Sequence, residues 1–134
     1  MIKKLVLSTF VIFLLWTALD FVMHGMVLSS HYQATANLWR PMPEMNMSLV
    51  WSITLVHAFL FSAIYAWLIS PKSMKRALIY GLIFGVATGL KFGYGSYAVM
   101  PIAHFMAFVW FLGTIIEALI ASTILGIVFK EPLG

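Results

Sequence analysis

The chain has 134 residues, of which 63% are hydrophobic and only 9% are charged. A mean hydropathy of +1.01 leaves too few polar side chains to cover a water-soluble globule, so the composition excludes that class. The net charge of +4 needs no nucleic-acid partner, because the positions of the basic residues follow from membrane topology. The absence of cysteine excludes disulfides, thiolate metal sites and covalently attached c-type haem.

Long apolar runs predict helices that cross a membrane. Each run approaches or exceeds the roughly 20 residues that a helix needs to span a bilayer. The runs are continuous and do not alternate, which favours helices over the strands of a barrel. We therefore predict an all-α fold, an integral membrane four-helix bundle in a single transmembrane domain over residues 1–134. The predicted spans are 5–28, 49–69, 77–99 and 102–129.

The start of the chain resembles a signal peptide, but we interpret it as a retained first span. Asp20 and His24 interrupt the approach to the A-x-A-like sequence at 34–36. The basic residues then set the orientation, because cytoplasmic loops are enriched in lysine and arginine. Only Arg40 falls in the predicted outer loops, so both termini are expected in the cytoplasm and the protein in the inner membrane. The basic residues of the opposite loops are Lys3, Lys4, Lys72, Lys75, Arg76 and Lys130.

The outer loop 29–48 is expected to lie along the membrane surface. Pro41 and Pro43 break any helix, and Tyr32 and Trp39 suit the headgroup region. The other connections are short, which predicts antiparallel hairpins of spans 1–2 and 3–4. The two hairpins match at offsets of 71 and 60 residues. We interpret the match either as a parallel internal repeat or as chance similarity of apolar sequences.

Span 3 carries glycine at every fourth position. Gly81, Gly85, Gly89 and Gly93 share one stripe of the helix, where missing side chains let another backbone approach. We expect this glycine zipper to pack tightly on a neighbouring helix. Lys91 lies roughly 200° around the helix from Gly89 and is expected to point away from the stripe.

Four ionisable residues form a predicted intramembrane polar cluster: Asp20, His57, Lys91 and Glu117. Charged groups inside the membrane-spanning part of a protein usually face the bundle interior and pair with one another. We expect Lys91 to face Asp20, Glu117 or a group on another subunit, as a buried ion pair that fixes helix register. A proton or ion relay is the alternative, and outward snorkelling of Lys91 is a third interpretation.

Two patterns suggest a metal or haem. His24 and His104 are the histidines at similar depth, as the axial ligands of a b-type haem require. Met42, Met45 and Met47 give an M-x-x-M-x-M spacing on the outer face, and thioethers suit Cu(I). The alternative interpretations are hydrogen-bonded interfacial histidines and methionines at an adaptable surface. The sequence thus leaves haem, copper and no cofactor open.

The order of features resembles that of a group of bacterial proteins. A first span that ends in FVMHGMVLSSHY, a tryptophan-bearing outer loop and a glycine-rich third span are similar to small four-span inner-membrane proteins catalogued as domains of unknown function. The resemblance implies four spans and brings no functional residues. Size and span number are also similar to small multidrug resistance transporters, whose key glutamate lies in the first span. Here Asp20 lies in span 1 and Glu117 in span 4, without that family's surrounding pattern.

The chain shows no nucleophile with a base and no phosphate-binding loop, so it is not expected to be an enzyme. We predict a small non-catalytic accessory or assembly subunit of a larger membrane complex, for example of electron transport. Its partners would be the lipid bilayer and other membrane subunits, or further copies of itself. The alternative is a homo-oligomeric transporter, coupled to protons or carrying an ion or metal such as copper, that uses Asp20, Lys91 and Glu117.

Overall fold

The computed structural model describes residues 1–130. Over these residues the chain is helical and contains 4 helices long and apolar enough to cross a membrane, which confirms the predicted all-α class. Two of these helices contain a π-helical turn, at Met23–Val27 and Leu90–Tyr94. These four candidate membrane-spanning helices, called the spanning helices below, are Ile2–Val27, Met47–Leu68, Met74–Val99 and His104–Val128. The α-helical segments are α1 (Ile2–Val22), α2 (Ser29–Ala34), α3 (Met47–Leu68), α4 (Met74–Gly89), α5 (Gly95–Val99) and α6 (His104–Val128).

Side-chain caps fix where two of the spanning helices begin. The Asn46 side chain accepts a hydrogen bond from the Leu49 N–H at 3.0 Å, at the start of α3. The Ser73 hydroxyl accepts one from the Arg76 N–H at 3.2 Å, at the start of α4. Each cap satisfies one of the backbone donors that the first turn of a helix leaves unpaired. Asn46 and Ser73 therefore mark where the connecting loops end and helices α3 and α4 begin.

Helix α4 packs along α6 more closely than along any other element, and the glycine stripe forms the contact. Gly81, Gly85, Gly89 and Gly93 are all buried. A Cβ atom on Gly85 would lie 2.8 Å from the Ile115 Cα, and one on Gly89 would lie 2.8 Å from the Phe111 carbonyl oxygen. These partners are backbone atoms, which cannot move aside as a flexible side chain can. Glycine is therefore required for the two helices to approach this closely.

Aromatic side chains fill the space between α3 and α4. The Phe61 ring packs on Tyr80 with a centroid separation of 4.7 Å and on Phe84 at 4.9 Å. The Tyr80 hydroxyl donates a hydrogen bond to the Phe61 carbonyl oxygen at 2.8 Å. Helix α1 packs against α3 and also contacts α6, so the four long helices share one buried core. The hairpins pair α1 with α3 and α4 with α6.

The outer loop folds over one end of the bundle. It forms α2 and two 3₁₀ turns, Ala36–Leu38 and Met42–Glu44. Tyr32 and Trp39 pack against the buried Trp110, and the Trp39 and Trp110 ring centroids lie 6.2 Å apart. These aromatic side chains thus take part in packing on α6, in addition to any contact with the headgroup region.

The two π-helical turns are not predicted by the sequence pattern. Leu28 N–H donates to the Met23 carbonyl oxygen at 3.0 Å, five residues back, where an α-helix would use the oxygen four residues back. A π turn adds one residue within a helix and leaves the apolar character of the run unchanged, so hydropathy does not reveal it. Such turns often occur at functional sites. Here they lie at the same end of the bundle as Asp20, His24 and Lys91.

We expect Gly85→Ala to destabilise the protein and Gly95→Ala, on the same span, to leave it unchanged or slightly more stable. The added methyl at Gly85 meets backbone, and such overpacking costs about 1–3 kcal/mol. At Gly95 the nearest atom is 3.8 Å away, and alanine is preferred over glycine in a helix by about 0.5–1 kcal/mol. Unfolding titrations in mixed detergent micelles give the two free energies. Equal effects of both substitutions would contradict the backbone contact at Gly85.

Candidate functional site

Two carboxyl side chains meet between helices α1 and α6. The carboxyl groups of Asp20 on α1 and Glu117 on α6 lie within hydrogen-bonding reach of one another. An ionised carboxylate can only accept a hydrogen bond, so two carboxyl groups form one only when one of them carries a proton. The pair can therefore hold a proton between these two helices.

The surroundings place this proton on Glu117. The Glu117 Oε1 atom is buried and, among residues 1–130, accepts no hydrogen bond. A negative charge on such an atom would lack any solvation, which is costly. Asp20, in contrast, is 40% exposed, and its Oδ1 lies 3.8 Å from His24 Nε2. We therefore assign Glu117 as the hydrogen-bond donor and Asp20 as the acceptor.

Trp16 fixes the position of Glu117 relative to the other helices. Its indole N–H donates to the Glu117 backbone oxygen at 3.0 Å, which joins α1 to α6. The Trp16 ring also packs on His57 and Phe61 of α3, with centroid separations of 5.0 and 5.4 Å. Three spanning helices thus meet at this one side chain. His57 is exposed and reaches the carboxyl pair only through the Trp16 ring.

A polar chain leads from the carboxyl pair to the end of the bundle that carries the outer loop. His24 Nδ1 lies 2.5 Å from the Tyr32 hydroxyl oxygen. That oxygen also accepts a hydrogen bond from the Trp110 indole N–H at 3.1 Å. The Tyr32 O–H is therefore left to donate to His24 Nδ1, and the His24 proton then sits on Nε2, facing Asp20. We call Glu117, Asp20, His24 and Tyr32 the polar chain.

The Tyr32 phenol remains protonated at neutral pH. Burial raises the pKa of Tyr32 to about 12, the hydrogen bond from Trp110 opposes this rise, and the negative charge of Asp20 adds to it. Tyr32 lies on α2, outside the spanning helices. Because the phenol keeps its proton, it can act as the hydrogen-bond donor that His24 requires.

Lys91 lies apart from the carboxyl pair. Its side chain is exposed, and no acidic side chain among residues 1–130 lies within ion-pair distance of it. The next residue, Phe92, stacks on Trp110 with a centroid separation of 4.7 Å. Of the predicted polar cluster, the structure brings Asp20 and Glu117 into direct contact and leaves Lys91 without an acidic partner in the described part of this chain.

The predicted metal and haem residues are dispersed. His104 is exposed, and its Nε2 lies 3.3 Å from the Tyr94 hydroxyl, whereas His24 binds a different tyrosine. Three methionines of the outer loop, Met42, Met45 and Met47, are exposed. Residues 1–130 contain no group of 3 or more histidine, aspartate or glutamate side chains arranged to hold a metal.

Sequence reasoning found Asp20, His24 and Glu117 but not the side chains that connect them. Tyr32 and Trp110 lie 78 residues apart, and Trp16 and Glu117 lie 101 residues apart. Tyrosine and tryptophan are common near membrane surfaces for other reasons, so their presence alone gave no signal. The one local signal was the four-residue spacing of Asp20 and His24, which places both on one helix face.

Comparison of the chain with protein-family models, with curated proteins and with solved structures gives no match.

We expect Tyr32→Phe to destabilise the protein by about 1–3 kcal/mol, because the Trp110 N–H and His24 Nδ1 both lose their partner. Tyr97→Phe is the matched control, since the Tyr97 ring is 43% exposed. Unfolding titrations of both variants and the wild type at neutral pH measure the difference. If Tyr32→Phe lowers the free energy of unfolding no more than Tyr97→Phe does, the Tyr32 hydroxyl makes no net contribution to stability.

The raised pKa of Tyr32 also predicts a pH dependence of stability. Between the usual tyrosine pKa of 10.0 and about 12, the folded phenol keeps its proton while the unfolded one has lost it. Unfolding then releases a proton, so stability falls as pH rises through this window. We expect the free energy of unfolding to fall more steeply with pH for the wild type than for Tyr32→Phe. Unfolding titrations across this pH window measure both slopes. Identical slopes would contradict the buried environment of Tyr32.

Proposed function

We propose that this protein is a multi-pass protein of the inner membrane with both termini in the cytoplasm. The basic residues support this orientation, because Lys3 and Lys4 lie at the start of the first spanning helix and Lys75 and Arg76 at the start of the third. Positive residues are enriched on the cytoplasmic side of membrane proteins. The outer loop and Tyr32 then face the opposite side.

We propose further that the protein is a homo-oligomeric proton-coupled transporter. The observation that carries this proposal is the contact between the Asp20 and Glu117 carboxyl groups, which can share a proton between two spanning helices. Ionisable groups within spanning helices commonly mark proton or ion pathways. A pair that shares one proton carries a single negative charge, and release of the proton would leave two adjacent carboxylates, so the pair favours taking a proton up again.

The polar chain offers a proton a route from the outer face to the carboxyl pair, with one interruption, because Tyr32 donates to His24 and the His24 Nε2–H faces Asp20. The His24 to Tyr32 contact is a hydrogen bond at 2.5 Å, but Asp20 Oδ1 and His24 Nε2 are 3.8 Å apart. Hydrogen bonds that transfer protons are shorter, at roughly 2.7–3.2 Å. An approach of His24 and Asp20 would therefore complete the chain. The gap therefore slows the passage of protons along the polar chain. A continuous hydrogen-bonded chain would let protons leak freely, which would prevent coupling.

An accessory or assembly subunit is the second candidate, and the exposed Lys91 supports it. Lys91 lies in the third spanning helix and is exposed on the single chain. A cation that faces hydrocarbon costs about 2.5–3.5 kcal/mol on insertion scales. A carboxylate of another subunit, or of a second copy, would remove this cost. Native mass spectrometry of the protein from its own membranes separates unrelated subunits from a homo-oligomer.

We expect Glu117→Gln to abolish proton movement and to preserve the fold. The new side-chain amide can still donate a hydrogen bond to Asp20 but has no proton to release. In proteoliposomes that contain a pH-sensitive dye, an imposed membrane potential should drive a slow proton flux through the wild type, because the 3.8 Å gap between Asp20 and His24 slows proton transfer without preventing it. Flux through the variant should fall by about a hundredfold, the usual contribution of a proton-transferring group.

Glu44→Gln is the matched control for this experiment, because Glu44 lies in the exposed outer loop, away from the polar chain. Infrared spectra provide an independent readout, since the protonated carboxyl band of the wild type should disappear in Glu117→Gln and persist in Glu44→Gln. Wild-type flux that Glu117→Gln leaves unchanged would contradict the transport proposal. If the wild type shows no proton flux and Glu117→Gln loses its association with other subunits, the accessory-subunit role would be favoured.

A further inference from the structure

A groove lies at the basic end of the bundle, beside the start of α4. It has a volume of about 570 Å³ and opens along the side of the helix. Polar and basic residues line one part of it, and isoleucines line the other. The polar residues are Ser73, Lys75 and Arg76, the isoleucines are Ile69, Ile79 and Ile83, and Tyr80 completes the lining.

The basic side chains at this groove have no acidic partner among residues 1–130. Arg76 donates to the Ser70 carbonyl oxygen, and this contact holds the guanidinium at the loop. A guanidinium has five N–H donors, so Arg76 keeps further donors for an anion. Lys75 is exposed beside it. The polar part of the groove therefore presents two cations that another group can neutralise.

The apolar part runs along the spanning helix. Ile79 and Ile83 are four residues apart, so they lie on one face of α4, and they are 48% and 65% exposed. A small anion such as free phosphate would contact only the basic part. An amphiphile with a negatively charged head and an alkyl chain would contact both parts.

We propose that this groove binds an anionic phospholipid, with the headgroup phosphate on Lys75 and Arg76 and an acyl chain along Ile79 and Ile83. Basic pockets beside spanning helices bind anionic headgroups in this way. The proposal depends on the charge and shape of the groove and does not rest on the proposed transport function. Residues Lys75 and Arg76 take no part in the polar chain.

The test is lipid binding to the purified full-length protein, measured by native mass spectrometry with added phosphatidylglycerol or with phosphatidylcholine of the same acyl chains. The wild type should retain phosphatidylglycerol in preference to phosphatidylcholine. We expect the Lys75→Gln/Arg76→Gln variant to bind it about fivefold more weakly for each cation removed, and to bind phosphatidylcholine as before. Lys3→Gln/Lys4→Gln is the matched control, because it removes the same charge outside the groove.

Equal losses of phosphatidylglycerol binding in the two double variants would overturn the proposal, because the attraction between protein and lipid would then depend only on the net charge of the protein. Displacement of phosphatidylglycerol by millimolar inorganic phosphate would also overturn it, in favour of a free-anion site. Because Arg76 also holds the loop at Ser70, the single variant Lys75→Gln serves if the double variant misfolds. That variant alone should bind phosphatidylglycerol about fivefold more weakly, and unchanged binding would refute the role of Lys75.

Discussion

The apolar surface of the four long helices is the constraint on which the other features depend. A polar side chain packed between such helices has little access to water and must find its partner within the protein. Thr9 and Thr17 donate to the carbonyl oxygens four residues back, each at 2.8 Å. The Trp16 indole donates to the Glu117 backbone on another helix. The contact between Asp20 and Glu117 follows the same rule, because two carboxyl groups that share a proton satisfy one another where two separate charges could not.

Several features follow from the sequence through simple geometry. Continuous apolar runs predict the spanning helices because a bilayer sets their length. The four-residue spacing of glycine predicts the packed face of α4, since four residues return nearly to the same side of a helix. Its partner α6 has small residues at the same spacing, and a Cβ on Gly81 would lie 2.7 Å from the Ala118 carbonyl oxygen. The spacing of Asp20 and His24 likewise places them side by side.

The partner of Asp20 could not be predicted, because it depends on how each helix is rotated in the bundle. On sequence grounds Lys91 was expected to face Asp20, Glu117 or a group on another subunit. The glycine stripe fixes the rotation of α4 by facing α6, and Lys91 is then exposed while Glu117 meets Asp20. The link to Tyr32 depends in addition on the path of the outer loop and on the π turn Met23–Val27, and neither changes the hydropathy pattern.

Helix α6 joins the packed interface to the site, and this arrangement indicates which side of the carboxyl pair can move. Ala118, next to Glu117, is buried and contacts the glycines of α4, where backbone atoms already limit the approach. Glu117 is therefore held on a rigid support. Asp20 and His24 lie where α1 passes into a π turn, and π turns are places where helices kink. A movement that closes the 3.8 Å gap between Asp20 and His24 thus belongs to α1, so the pair combines a fixed proton donor with an adjustable acceptor.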